Sequence, residues 1–308
     1  MAIAELWVEK WRPKTIDGYV FKDDAHRKQI NAWVKEGTIP HLLLSGAPGI
    51  GKTTLAKILV HELEISDYDV LEVNASRETG IDFIREKIVP FISMIPFGPF
   101  KVVILDEADR LSQQAQDSLK GIIEEYSAYA RFILTCNTPS RVLPPLHSRL
   151  QQMHFASVDQ TEFTARAATI LVEEGIDFDL DRLDTYVKVA YPDLRSCIKM
   201  LQSNSINGVL NDPRMEDSGV SDYKLEMVEL FKQGKIQSAR KLLCGKARPD
   251  EMEGIYRWCY DNLNLFGNTE EKKDSALLII KQGLVDHSII ADPEINLAAT
   301  LVKLARLQ

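Results

Sequence analysis

The sequence is poor in cysteine: Cys136, Cys197, Cys244 and Cys259 are the four in 308 residues, with no C-x-x-C pair among them. That spacing offers neither a disulfide framework nor a zinc site, and it points to a reducing interior. The six histidines are dispersed, without a Cys or His partner at ligand spacing, and read as structural or surface residues. Long apolar runs are missing as well. None approaches the ~18 residues of a membrane-spanning helix, so no membrane partner is expected. The start, Met-Ala-Ile-Ala-Glu-Leu-Trp7, lacks the basic residues and apolar centre of a secretory signal. Basic charge is outweighed: 37 Lys and Arg against 45 Asp and Glu give a formal net charge of −8. This excludes a wholly basic nucleic-acid coat, though a local basic face remains compatible with it. Short-period repeats and low-complexity tracts are absent. A chain of 308 residues is too long for one ordinary domain, and two or three are expected.

What is present centres on residues 41–64. Leu42, Leu43 and Leu44 form an apolar run ending in Ser45 and Gly46, the pattern of a buried parallel strand. Beyond Thr53, Leu55, Ile58, Leu59 and Leu63 fall at helical spacing. Between strand and helix, Gly46, Gly51, Lys52 and Thr53 fit G-x-x-x-x-G-K-[ST], with Gly49 inside the loop. Glycines let backbone N–H groups turn around phosphate oxygens without Cβ clashes, and the helix behind presents its positive end. Lys52 adds a cation for the outer phosphates, and Thr53 offers a hydroxyl to Mg²⁺. With every fixed position filled and both flanking elements in place, the stretch reads as a nucleoside triphosphate site rather than a chance glycine turn.

The surrounding chain alternates strands and helices. Residues 1–40 hold Trp7-Val8-Glu9-Lys10-Trp11-Arg12-Pro13, where Pro13 biases Arg12 away from helix, then a helix from about Asp24 to Glu36. Taken alone, the opening segment is a strap over a sheet edge. Asp69–Asn74 alternates as a second strand, and Ile81–Ile88 reads as a helix carrying Arg85 and Lys87 and stopped by Pro90 and the Pro96/Pro99 cluster. Lys101–Asp106 is a buried strand that delivers Asp106 and Glu107 at its C-terminal edge, where α/β folds bind ligands. Asp106 suits Mg²⁺, directly or through water, and Glu107 suits activation of an attacking water. Ser112–Tyr126 follows as a helix with Leu119, Ile122 and Ile123 inward. Arg131–Asn137 is a further strand. Asn137 at its end either positions water or the γ-phosphate or simply caps the turn; the motif context favours the former. Pro144 and Pro145 break the chain before a last strand, Gln151–Phe155. The expectation is a parallel, doubly wound sheet over residues 40–155.

From Val158 strand signals cease. Helices are expected over Glu162–Glu173, over Leu180–Ala190, and from Pro192-Asp193-Leu194-Arg195 with Ile198 and Leu201 inward. Residues 205–221 read as a turn-rich polar linker. Tyr223–Gln308 looks all-helical, with apolar stripes in Ser238–Leu243, Met252–Leu265, Glu271–Gln282 and Pro293–Leu307.

Taken in order, Val-Glu-Lys-Trp-Arg-Pro, Gly-Ala-Pro-Gly-Ile-Gly-Lys-Thr-Thr, Asn74-Ala-Ser-Arg-Glu-Thr-Gly-Ile, Leu-Asp-Glu-Ala-Asp, Asn137-Thr-Pro-Ser, Ser148-Arg149 and Pro-Asp-Leu-Arg resemble the AAA+ ATPases. Within them the likeness is to the small subunits of sliding-clamp loaders, of the replication factor C type. It is strong over residues 5–205 and weaker beyond. The resemblance implies an α/β AAA+ nucleotide-binding domain over residues 1–156, a helical lid over 157–210 and an all-α collar over 211–308 that joins subunits into a pentameric ring. It implies that Pro48, Ile50 and Thr54 join Gly46, Gly49, Gly51, Lys52 and Thr53 in holding ATP, and that Lys10, Arg12 and Pro13 close over its adenine end. Asn137 matches the family's first sensor, Arg195 the second on the lid, and Arg149 the arginine that reaches a neighbouring subunit's site. The inner face of the ring would present Arg77, Arg85, Lys87 and the helix start at Ser112 to DNA phosphates; a solvated helix face reads almost as well. The implied partners are a ring-shaped clamp, primer–template DNA and the other ring subunits. ATP would open and grip the clamp, and hydrolysis triggered by DNA would release it closed.

The chain departs from the family in two places. Ser148-Arg149-Leu150 stands where cellular loaders usually have Ser-Arg-Cys, and Pro192 replaces the usual glycine before Asp-Leu-Arg, as in T4-like phages. The zinc-binding cysteines of bacterial loader ATPases are absent. The lineage expected is therefore phage, acting in the cytoplasm of a bacterial host. Two other readings stay open: a different AAA+ DNA motor, such as a branch-migration helicase or helicase loader, and a scaffold that holds ATP without turning it over.

Overall fold

The computed structural model describes residues 5–211, 223–246, 252–267, 269–287 and 292–307. The chain divides into two compact units, residues 1–175 with 190–203 and residues 176–189 with 204–308.

The first unit is built on a five-stranded parallel sheet: β1 (Leu42–Gly46), β2 (Val70–Asn74), β3 (Lys101–Asp106), β4 (Ala130–Cys136) and β5 (Gln151–Phe155). Its order is β2-β3-β4-β1-β5. Leu42, Leu43, Leu44, Val102, Val103 and Ile104 are at most 1% exposed, as expected for strands covered on both faces. Register aligns the strand ends that matter. Asn74 stands beside Asp106, Ser45 beside Cys136, and Gly46 beside Phe155. The C-terminal edge of the sheet therefore carries the phosphate loop, the acidic pair and Asn137 side by side, next to the place where strand order reverses at β1.

Helices cover the sheet through apolar stripes. Lys52–Glu62 buries Leu55, Ala56, Ile58 and Leu59; Gln113–Glu125 buries Ala115, Leu119, Ile122 and Ile123. The Ser112 hydroxyl accepts from Ala115 N (3.2 Å), a side-chain N-cap that starts the second helix. Asp24–Glu36 is capped by Asp23 and ends on Gly37 in the left-handed region (φ 70°).

One helix departs from expectation. After Ile81–Phe83 it widens to π geometry over Ile84–Ile88 and continues through Pro90 to Ser93. Pro90 does not stop it. A proline ring clashes with the carbonyl one turn back, and a widened turn just before it opens the spacing that the ring needs.

In the second unit, Leu180–Ala190, Tyr223–Lys232, Ile236–Lys246, Met252–Asp261, Glu270–His287 and Pro293–Ala305 are helical. Phe231, Leu243, Tyr256, Phe266, Leu297 and Leu301 form its core. Asn296 is buried there, its amide donating to Tyr256 Oη and to the Gly283 carbonyl, both at 2.8 Å. The start of the expected linker is instead a hairpin. Ser205–Ile206 pairs antiparallel with Val209–Leu210 across Asn207-Gly208, both at positive φ (56° and 78°). The rest of that segment, 212–221, lies outside the described residues.

Candidate nucleotide site

The loop between β1 and the Lys52–Glu62 helix has the shape its glycines allow. Gly46, Gly49 and Gly51 take φ values of 147°, 74° and 101°. A Cβ on Gly46 would stand 2.2 Å from the Phe155 carbonyl oxygen, and one on Gly49 only 1.8 Å from Asp193 Oδ1. The helix begins without a side-chain cap, so the amides of its first turn remain open to an anion.

Lys52 is 7% exposed. Its Nζ donates to the carbonyls of Gly46 (2.8 Å) and Ala47 (2.7 Å) and to Asn137 Oδ1 (2.9 Å). Burial draws its pKa below the ordinary lysine value and Arg195 acts in the same direction, while Cys136, Asp106 and Asp109 oppose the shift. Opposite it, Asp106 Oδ1 accepts from Thr53 Oγ1 at 2.7 Å and from Thr135 Oγ1 at 2.5 Å. Thr135 Oγ1 in turn accepts from the Glu107 amide at 3.1 Å. Glu107 itself lies in the left-handed region (φ 57°, ψ 43°), a conformation that costs a non-glycine residue about 1–2 kcal/mol. Asp109 is buried behind the pair and accepts from Thr138 N at 3.0 Å.

Two adjoining compartments result. Lys52, Thr53, Asp106, Glu107, Asn137 and Arg195 line a polar cleft with Pro48, Gly49, Gly51 and Thr54. Gly49, Gly51, Thr54 and Arg195 also border a mainly apolar pocket walled by Val8, Trp11, Pro13, Val20, Ile50 and Ile198, with Arg12 and Tyr19 at its side. A nucleoside triphosphate has the same division into a charged tail and a flat, uncharged base. Arg195 reaches both compartments from the helix Leu194–Asn204, which Asp193 caps through Ser196 N (2.9 Å) and Ser196 Oγ (2.7 Å). The cap that holds this helix is the carboxylate that fills the space beside Gly49.

The Thr53 hydroxyl and the Asp106 carboxylate are hard oxygen ligands facing the charged compartment, a donor set that fits Mg²⁺. No group of three or more His, Cys, Asp or Glu side chains among the described residues could hold a metal alone. Mg²⁺ takes one or two protein oxygens and completes its shell with phosphates and water.

Several residues singled out in the sequence stand elsewhere. Gly46 contributes its carbonyl to Lys52 rather than a wall. Lys10 turns away from the pocket to Glu174 Oε1 (2.7 Å), which also accepts from Trp11 Nε1. Arg12 does line the pocket while paired with Glu9 at 2.6 Å. Arg149 lies outside the cleft, paired with Glu124 and donating to the Pro145 carbonyl (2.8 Å). Arg77, Arg85 and Lys87 are exposed, Lys87 in an ion pair with Glu78. Ser112 N donates to the Thr79 carbonyl (2.9 Å), which brings that helix start beside the loop carrying Arg77. Sequence reasoning missed Thr135, and it read Asp193 as helix-start chemistry without its place beside Gly49. A lone hydroxyl near the end of an apolar strand, and an acid three residues before a serine at a helix start, were the available signals.

Residues 42–158 match the ATPase family associated with various cellular activities (AAA). Over 97% of its length the chain is 37% identical to the replication factor C small subunit of Sulfurisphaera tokodaii, covering 95% of that protein. The chain belongs to the replication factor C small-subunit family. A second member, from Methanocella arvoryzae, is 39% identical over 85% of both chains. Like the rest of this family of AAA ATPases, the chain is an ATP hydrolase. The RuvB Holliday junction branch migration motor of Thermotoga maritima superposes with a TM-score of 0.55 over 80% of both chains. At 17% identity it shares the fold, and the replication factor C likeness, not this one, decides the family.

Proposed function

We propose that this chain is the ATPase small subunit of a sliding-clamp loader. The observation that carries the reading is the convergence of Lys52, Thr53, Asp106, Glu107, Asn137 and Arg195 on one cleft beside a base-sized apolar pocket. Likeness to replication factor C small subunits along the whole chain supports the clamp-loader setting over a branch-migration helicase or helicase loader. Intact acids and lysine support turnover over a silent scaffold.

The phosphates lie on the loop amides and Lys52. Glu107 takes a proton from a water that attacks the γ-phosphorus, the bond to the β–γ bridging oxygen breaks, and ADP and phosphate result. Mg²⁺, held by Thr53 and Asp106, would offset charge on the phosphate oxygens. Asn137 orients the water or the γ-phosphate, and Arg195 ties its helix to the same group. Arg149 serves the next subunit in the ring. In this reading residues 1–156 bind nucleotide, 157–210 form the lid and 211–308 the collar of a pentamer. The clamp binds one face of the ring, and primer–template DNA meets Arg77, Arg85, Lys87 and Ser112 inside it. The setting is intracellular. Its named relatives are cellular, which supports a cellular-type loader; Pro192 remains the feature shared with T4-like phages and their bacterial hosts.

The test is the steady-state ATPase rate of the assembled ring, alone, with clamp, and with clamp plus primer–template DNA. Stimulation by the last combination is expected. A rate indifferent to both additions overturns the clamp-loader assignment.

A further inference from the structure

Thr135 is 1% exposed near the end of β4, and its neighbours Ile133, Leu134 and Cys136 are apolar and no more exposed. A hydroxyl among such side chains is unfavourable unless it is bonded, and valine has the same branched shape without that need. The Thr135 hydroxyl is bonded on both sides. In the register of β3 and β4, Leu105 stands beside Leu134, which brings the next residues of the two strands, Asp106 and Thr135, together. Thr135 Oγ1 accepts from the Glu107 amide at 3.1 Å, and its one proton goes to Asp106 Oδ1 at 2.5 Å.

Each end of this bridge bears on the proposed reaction. Asp106 Oδ1 also accepts from Thr53 Oγ1 (2.7 Å), so two hydroxyls hold one oxygen of the carboxylate. Its Oδ2 takes no hydrogen bond among the described residues, and Asp106 lines the cleft. Metal-ligating carboxylates are oriented through such outer hydrogen bonds. At the other end of the bridge, Glu107 has a left-handed backbone (φ 57°), strained for a residue with a Cβ. Thr135 holds its amide from the neighbouring strand, and its carbonyl accepts from Arg110 N at 2.9 Å. With both peptide groups pinned, the direction in which the Glu107 side chain leaves the backbone is set.

We propose that Thr135 is a positioning residue for ATP hydrolysis, its single hydroxyl aiming Asp106 at the divalent cation and holding the Glu107 backbone for the attacking water. The inference rests on the nucleotide site proposed above and adds to it a side chain outside the phosphate loop and the acidic pair. Removing a group that orients a metal ligand costs roughly ten- to a hundredfold in metal affinity or activity.

The experiment compares wild-type chain with Thr135→Val, Thr135→Ser and Lys52→Ala. ATP affinity is titrated in EDTA, and Mn²⁺ affinity beside a non-hydrolysable ATP analogue is read by electron paramagnetic resonance. Turnover, as kcat, is measured in assembled rings. Thr135→Val is expected to bind ATP in EDTA as wild type does, to hold Mn²⁺ roughly ten- to a hundredfold more weakly, and to lose kcat by a similar factor. Thr135→Ser keeps the hydroxyl and is expected to recover both. Wild-type Mn²⁺ affinity or wild-type kcat in Thr135→Val overturns the proposal, which requires both to fall. A Thr135→Ser chain as impaired as Thr135→Val overturns it as well, since the methyl group rather than the hydroxyl would then matter. A Thr135→Val chain that fails to fold, or that loses ATP in EDTA, marks the hydroxyl as support for the fold and overturns it too. If Lys52→Ala binds ATP as wild type does, the nucleotide site itself is wrong and the inference falls with it.

Discussion

Lys52 and Asn137 are joined by a hydrogen bond, Nζ to Oδ1 at 2.9 Å, that ties the phosphate loop to the end of β4. The other two Lys52 contacts go to carbonyls of its own loop. An ammonium group has three N–H bonds, and all three are engaged. A phosphate oxygen must therefore draw at least one away. Asn137 is the partner just beyond β4, so in the mechanism proposed above, taking that bond would free its amide for the attacking water.

Lys52→Ala and Glu107→Gln should fail differently. The proposed mechanism gives Lys52 to binding and Glu107 to proton removal. Lys52→Ala should lose ATP binding in a direct titration, while Glu107→Gln binds ATP normally and turns over ~10²–10⁴-fold slower. Near-normal hydrolysis by both would show that the cleft has been misassigned.

Arg195 should distinguish ATP from ADP. Its helix is capped by Asp193, which stands against Gly49, so a group on the γ-phosphate would seat helix and loop together. Arg195→Ala should weaken ATP by roughly ten- to a hundredfold, the worth of a hydrogen bond to a charged group, and ADP much less. Parallel losses for the two nucleotides would remove Arg195 from the γ-phosphate.

Arg149 is expected to act across a subunit boundary. Within its own chain it lies outside the cleft and is paired with Glu124. Arginines supplied in trans are worth ~10³–10⁵ in turnover. Rings mixed from Arg149→Ala and Lys52→Ala chains, each inactive alone, should recover activity where an intact site meets an intact arginine. Absence of recovery in rings shown to contain both chains would locate Arg149 outside the neighbour's site.

Arg77 and Arg85 should contribute salt-dependent affinity for DNA without sequence preference. Replacing both with Ala should lower the slope of log affinity against log salt by about 0.9 per lost phosphate contact on duplex DNA. An unchanged slope, together with unchanged stimulation of hydrolysis by DNA, would move the DNA path elsewhere.

Legibility followed the physics of each segment. Strands β1, β3 and β4 announce themselves because apolar runs end abruptly in polar residues, as at Asp106 and Asn137. Pro90 misled because a local rule about proline omits the π turn that accommodates it. The Ser205–Leu210 hairpin was visible in its Asn-Gly pair but is only two residues per strand, too short for an alternating pattern. Within the site, the phosphate loop and acids were readable because loop and strand end are contiguous in sequence. Thr135 and Asp193 were not, since their roles arise from strand register and from a contact 144 residues apart, between Gly49 and Asp193. Lys10 was assigned to the pocket from sequence, but the carboxylate of Glu174 holds it away.

The left-handed backbone at Glu107 sets durability against activity. Glycine is at ease in that conformation and glutamate is not, so a Glu107→Gly chain should melt at or above the wild-type temperature although it hydrolyses no ATP. A lower melting temperature would show that the carboxylate supports the fold. Selection that rewarded only abundance would then drift toward a sturdier chain that grips nucleotide and never lets the cycle advance. The glutamate survives only where turnover itself is under selection.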